Sequence, residues 1–206
     1  MRISPHLVRY LLFILPCLAL VAGSWAYLGS EAAVVEWAGT HRAAHPGLTA
    51  AAQLLTDWGN IAFYLVYAWL LVLGLKRGRK DLVRLVIVYI VVQLVIALGL
   101  VQALKHMVGR PRPGNGLLYE PFTTHPGHHA MPSGHTTEVT GSALPLALRW
   151  RGPVLSAALP LGLGLAVGLM GASRVYLGWH QPADVLFGLA LGSVSGLAIH
   201  LFSRKD

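Results

Sequence analysis

Apolar residues run along this chain in long blocks, broken by short clusters of charge, glycine and proline. Six blocks read as membrane spans, at about residues 10–29, 61–75, 82–104, 136–150, 153–172 and 182–202. A hydrocarbon core of ~30 Å calls for about 20 helical residues, so the second and fourth blocks are short and draw on their flanking loops. The first block has a basic start, a long apolar run and no clear small-x-small cleavage site, which predicts a retained helix rather than a cleaved leader. The pattern predicts an all-α fold, a six-transmembrane-helix bundle forming one domain over residues 1–206. The segment 31–60 is less periodic. It predicts a connector packed over the bundle, with 48–55 as a short helix on the membrane surface; a lid or lipid gate is the sharper reading of the same segment.

Composition agrees. Hydrophobic residues make up 55% of the 206 residues and charged ones 12%, half the roughly 25% of a soluble domain. The net charge of +8 forms no solvated basic face and accompanies no nucleic-acid motif, so nucleic acid is not an expected partner. The lone cysteine, Cys17, lies in the first apolar block and reads as a small buried or lipid-facing side chain.

Charge sets the expected orientation. Lys and Arg gather at Arg2 and Arg9, at Lys76 to Arg84, at Arg149 and Arg151, and at Arg204 and Lys205. Six spans put all these places on one side, and the positive-inside rule makes that side cytoplasmic, with both termini. The other side holds Arg42, Lys105, Arg110, Arg112 and Arg174. The expected location is the cytoplasmic (inner) membrane, with the site facing the periplasm or outside.

Three motifs fall on that second side: Lys105-x6-Arg112-Pro113, Pro132-Ser133-Gly134-His135, and Ser173-Arg174-x5-His180-x3-Asp184. Ionisable groups are expensive beside a bilayer, so their clustering marks a functional site. Three cations facing one pocket need an anion, and phosphate suits both the Arg fork and the Lys point charge. Lys105 ends a span, and Gly109, Pro111 and Pro113 break the helix so that Arg112 can fold back. Ser133 and Gly134 open a span where free backbone N–H groups favour anions, and they place His135 beside a bound phosphate. Pro182 suits a first helical position. Asp184 in the first turn, four residues after His180, can hold one ring nitrogen and leave the other nucleophilic.

Each motif alone has a plainer reading: a snorkelling basic helix end, a serine cap, an interfacial histidine. Glu138, one turn beyond His135, either tunes that histidine or lines a polar cavity. The loop histidines His125, His128 and His129, with His106, suit a solvated loop, a headgroup reader or a metal, and no carboxylate or cysteine set completes a metal site. His200 reads as structural. Gly164-x3-Gly168 and Gly188-x3-Gly192 suit close helix packing within the chain, a homodimer face being the alternative use.

Together, and in this order, the motifs resemble the signature of the type 2 phosphatidic acid phosphatase (PAP2) superfamily, K-x6-RP, PSGH and SR-x5-H-x3-D, at every defining position from Lys105 to Asp184. The first hundred residues match only in being helical and membrane-embedded. The resemblance implies a metal-independent, cofactor-free membrane lipid phosphatase. Lys105, Arg112 and Arg174 would bind phosphate oxygens, with Ser133 and the Gly134 N–H completing the cradle. His180 would attack phosphorus, oriented by Asp184, and His135 would protonate the leaving oxygen. The implied substrate is a phosphorylated membrane lipid: undecaprenyl diphosphate, phosphatidylglycerol phosphate, phosphatidic acid or lipid A phosphate. A lipid phosphotransferase of the same family, a non-catalytic lipid or anion transporter, and a structural membrane protein with basic interfaces are the rival readings.

Overall fold

The computed structural model describes residues 4–149 and 155–204. Seven helices account for most of them: α1 Pro5–Leu28, α2 Glu31–Ala44, α3 Pro46–Lys76, α4 Lys80–Val108, α5 Gly134–Arg149, α6 Leu155–Tyr176 and α7 Pro182–Phe202. No strand occurs among the described residues. Proline starts α1, α3 and α7, where its missing N–H is harmless.

Five of these helices, α1, α3, α4, the stretch Ser156–Tyr176 of α6, and α7, are long and apolar enough to cross a membrane. The expected fourth span is α5. At 16 residues it is shorter than the others, and Trp150 and Arg151, where the sequence reading ended that span and continued the basic cluster, lie outside the described residues.

The segment 31–60 departs from expectation. Residues 48–55 form no separate surface helix. They are the opening turns of α3, which runs unbroken for 31 residues. The Ala-rich run favours helix, and the break falls earlier, at His45-Pro46. The preceding α2 packs over the bundle end as a connector: Arg42 donates to the Tyr176 carbonyl, and His41 Nδ1 lies 3.1 Å from the Tyr176 hydroxyl.

The core centres on α5, 12 of whose 16 residues are buried. α5 packs most extensively on α7, and α6 on α1. Small residues permit both approaches. A methyl group at Gly188 would lie 2.7 Å from the Ser133 carbonyl oxygen, and one at Gly192 2.5 Å from that of Thr137. Gly164 meets Phe13 and Gly168 meets Cys17 on α1. Both small-x3-small faces are therefore occupied within the chain. Cys17 is fully buried in this seam. Large apolar side chains such as Leu65, Trp69, Leu94, Val95 and Leu98 point outward, as lipid-facing positions do.

The topology brings the ends of α4 and α6 to the same face as the starts of α5 and α7. The basic residues collect at the opposite end. There Arg84 Nε donates to the Phe202 carbonyl at 3.1 Å, and Arg149 Nη2 donates to Asp81 Oδ2 at 2.9 Å. His200, buried nearby, has its ring 5.5 Å from that of His6, in keeping with a structural role.

Candidate active site

Lys105 comes from the last turn of α4, just beyond a π-helical stretch, Leu94–Leu100, whose wider turn resets the helix face. Gly109 ends the helix at φ +58°, with the Glu120 carbonyl packed where a side chain would stand. The chain then doubles back: Arg112 N donates to the Gly127 carbonyl at 2.7 Å, and Ala130 N to that of Arg110 at 3.1 Å. This loop brings the first two motifs together.

The second and third motifs meet directly. Ser133 N donates to the Asp184 carbonyl at 2.9 Å, docking the start of α5 on the start of α7. Ser133 is fully buried and its hydroxyl lies 3.0 Å from Thr136 Oγ1. Lys105 Nζ reaches within 3.6 Å of where a Gly134 Cβ would be. Lys105, Gly134 and His135 share the wall of a cavity of ≈ 560 Å³ that runs down between α3, α4 and α5.

Arg112 and Arg174 converge on Trp179. Their guanidinium carbons lie 5.5 and 5.4 Å from its ring centroid, within cation–π range. Among the described residues, no ion pair neutralises Lys105, Arg112 or Arg174. The buried Nε of Arg174 has no hydrogen-bond partner. Burial lowers the Arg112 pKa, with Asp184 pulling the other way. Three cations gathered without a carboxylate between them are chemically suited to hold an anion.

His180 is 1% exposed, and its backbone N–H donates to the Arg174 carbonyl at 3.2 Å. Its Nδ1 faces Asp184 Oδ2 at 3.6 Å, which leaves Nε2 as the other nitrogen. Burial is the largest influence on this imidazole. Arg174 and Arg112 add to it, Asp184 opposes, and the result is a pKa lowered from 6.5 to about 4. The ring is neutral at pH 7, as a nucleophile must be.

Asp184 is fully buried and fully engaged. Oδ2 accepts from the Gln181 N–H at 2.8 Å, and Oδ1 from Arg110 Nη1 at 2.8 Å. Arg110 Nη2 also reaches Glu31 Oε2 at 2.5 Å and the Gln181 side chain. Glu31 Oε1 in turn accepts from Ala183 N at 2.8 Å. Arg110 and Glu31 join the site through this network, and the motifs left both aside. Arg110 lay in the variable stretch of the first motif and Glu31 in the segment with least pattern. Trp179, inside the five-residue gap of the third motif, was missed for the same reason.

The loop histidines do not converge. His129 Nε2 is 2.9 Å from the Thr123 carbonyl, with its ring edge-on to His106 at 4.2 Å. His125 Nδ1 accepts from Gly127 N, and His128 lies 3.7 Å from Glu120. They order the loop that carries Arg110 and Arg112. Among the described residues no group of three or more His, Cys, Asp or Glu is placed to hold a metal.

The sequence model of the PAP2 superfamily matches residues 81–206, well over half of the chain and all three motifs. The chain belongs to the PAP2 superfamily. Among curated relatives of this PAP2 protein, a lipid A 1-phosphatase of Rhizobium etli is 31% identical over 68% of this chain. A decaprenylphosphoryl-5-phosphoribose phosphatase of Mycobacterium tuberculosis is 30% identical over 75% of the chain and 80% of its own length. An undecaprenyl-diphosphatase of Sulfolobus acidocaldarius is 36% identical over 66% of the chain. The match spans 65% of the Rhizobium etli protein, just under two thirds. No solved structure matches the chain.

Proposed function

We propose that this PAP2 protein is a metal-independent membrane lipid phosphatase that acts through a phosphohistidine. The observation that carries the reading is the set of un-neutralised cations, Lys105, Arg112 and Arg174, gathered at the bundle end that also holds His135 and the buried His180. The named activities of the relatives, all removing phosphate from lipid-linked groups, support it.

The three cations would hold the phosphate oxygens and stabilise the charge that grows on them in the transition state. The Gly134 N–H, at a helix start, would join them. His180 Nε2 would form a bond to phosphorus while the bond from phosphorus to the leaving oxygen breaks. His135 would give that oxygen its proton. Water would then attack phosphorus, His135 would take the water's proton, and rupture of the P–N bond would free inorganic phosphate and restore both histidines. Asp184 would orient His180 throughout.

The substrate would be a phosphomonoester or terminal diphosphate of a membrane lipid: undecaprenyl diphosphate, phosphatidylglycerol phosphate, phosphatidic acid or lipid A phosphate. The chain would sit in the cytoplasmic membrane with α5 as its sixth span and both termini inside. Arg84, Arg149 and Arg204, at the end away from the site, support an outward-facing catalytic face.

The test is phosphate release by purified protein in detergent with EDTA, on those four lipids, beside His180→Ala. Release from at least one lipid that disappears in the variant is the expected result. Activity that is absent in chelator and restored by Mg²⁺ overturns the proposal.

A further inference from the structure

The cavity below Lys105 carries an acidic group that the phosphate chemistry does not use. Glu138 stands three residues along α5 from His135, so their Cβ atoms are about 5–6 Å apart on one helix face. Both line the ≈ 560 Å³ cavity, together with Lys105, Tyr64 and Gln93. Tyr64 donates its hydroxyl proton to Glu138 Oε1, and Asn60 Nδ2 donates to Oε2 at 2.6 Å. Gln93 Nε2 braces the same residue through its backbone carbonyl at 2.9 Å. Both side-chain oxygens are acceptors, the pattern of an ionised carboxylate. Beyond Glu138 the cavity turns apolar and opens at the outer face of α4, where the exposed side chains of Ile90, Leu94 and Leu98 line its mouth, a surface suited to an acyl or prenyl chain.

In the mechanism above, His135 protonates the leaving oxygen. Whatever is bonded to that oxygen therefore lies in the cavity that Glu138 faces. The candidate lipids differ at this point. A polyprenyl diphosphate places its second phosphate there, whereas a glycolipid phosphomonoester places a sugar whose hydroxyls can donate.

We propose that Glu138 selects the leaving group, accepting hydrogen bonds from a sugar hydroxyl of a glycolipid phosphate and repelling the second phosphate of a polyprenyl diphosphate. The inference rests on the phosphatase reading and narrows its substrate class. Among the described residues Lys105 is the cation that lines this cavity, and the proposed mechanism engages it with the phosphate, which leaves the carboxylate to act on the leaving group. Like charges brought together without water are strongly disfavoured, and an acceptor built to meet a hydroxyl loses its partner when the hydroxyl is absent.

The experiment measures kcat/KM of the full chain in detergent on lipid A 1-phosphate and on undecaprenyl diphosphate, for the wild type and Glu138→Gln. The wild type is expected to favour lipid A 1-phosphate. Glu138→Gln is expected to shift the ratio toward the diphosphate by about tenfold, mainly by a gain on the diphosphate. A general structural defect would lower both values together and leave the ratio alone. Phosphate release with an unchanged ratio, or a wild type that favours the diphosphate, overturns this inference and leaves the phosphatase reading intact. No release from these two lipids, with release from phosphatidic acid or phosphatidylglycerol phosphate, overturns this inference alone; no release from any of the four by a wild type indistinguishable from His180→Ala overturns both. If Glu138→Gln does not fold, inhibition of the wild type by glucose 1-phosphate and by pyrophosphate reads the same preference. Pyrophosphate binding as tightly as the sugar phosphate, or more tightly, overturns the inference.

Discussion

Arg110 Nη1 donates to Asp184 Oδ1 at 2.8 Å, and both side chains are buried. The carboxylate proposed to orient His180 is thus itself held by an arginine outside the three-part signature. Arg110 also grips Glu31, which in turn takes the Ala183 N–H at the start of α7. One guanidinium ties the loop after α4 to α2 and to the first turn of α7.

Arg110→Gln should therefore lower both stability and turnover. Breaking a buried pair by removing one partner destabilises by roughly 3–5 kcal/mol, because the remaining carboxylates lose their counter-charge. Thermal unfolding in detergent should show the loss. Glu31→Gln keeps the shape of the side chain and should give a smaller loss, with kcat falling more than KM rises. An unchanged melting temperature in Arg110→Gln would show that the network is not structural.

The anion site predicts a different signature. Arg112→Lys and Arg174→Lys keep the charge but lose the fork, so charge alone should not restore activity. Each should lose about 10²–10³-fold in kcat/KM, the scale of removing one transition-state donor. Neither should unfold the protein, since among the described residues neither arginine is in an ion pair. Stabilisation by inorganic phosphate in a thermal shift assay should weaken in parallel.

In the proposed mechanism, protonation of His180 gives the pH profile an acid limb. Its pKa, lowered to about 4 chiefly by burial, means that the neutral nucleophile persists well below pH 6.5. kcat/KM, which reports the free enzyme, should fall through a group near pH 4 as His180 takes up its proton. Asp184 raises that pKa, so Asp184→Asn should move the limb to lower pH while reducing the rate. A limb in Asp184→Asn that moves to higher pH would contradict the assignment.

Close packing predicts that small changes at α7 reach the site. A methyl group at Gly188 would press on the Ser133 carbonyl at 2.7 Å, and backbone cannot rotate away as a side chain can. Gly188→Ala should cost about 1–3 kcal/mol by overpacking and reduce kcat by displacing Ser133 and Gly134. Gly162→Ala, where nothing lies within 4 Å, is the matched control and should leave both unchanged.

Much of this was legible in the residues. Long apolar blocks specify membrane helices because unpaired backbone cannot face lipid, and the last block, 182–202, matches α7 residue for residue. The motif spacings were enough to nominate Lys105, Arg112, Ser133, Gly134, His135, Arg174, His180 and Asp184, since cations, helix starts and an i, i+4 His–Asp pair have chemical meaning in one dimension. The 31–60 segment was not legible in the same way. An Ala-rich stretch has the propensity of helix wherever it lies, and only packing against α6 decides that 48–55 continues into α3.

Partners distant in the chain were beyond reach of pattern. Arg110 and Glu31 are 79 residues apart, and Glu138 and Asn60 are 78 apart. Such pairs form because the bundle closes, and nothing local to either residue announces them. The sequence by itself determined the helical membrane class and the family, and it nominated the residues of the proposed phosphate site, because hydrophobic length and short-range motif spacing are local properties. Only the tertiary structure decided how Asp184 is held, which cations share Trp179, and what stands in the cavity beyond His135, because long-range packing alone brings those side chains within hydrogen-bonding distance.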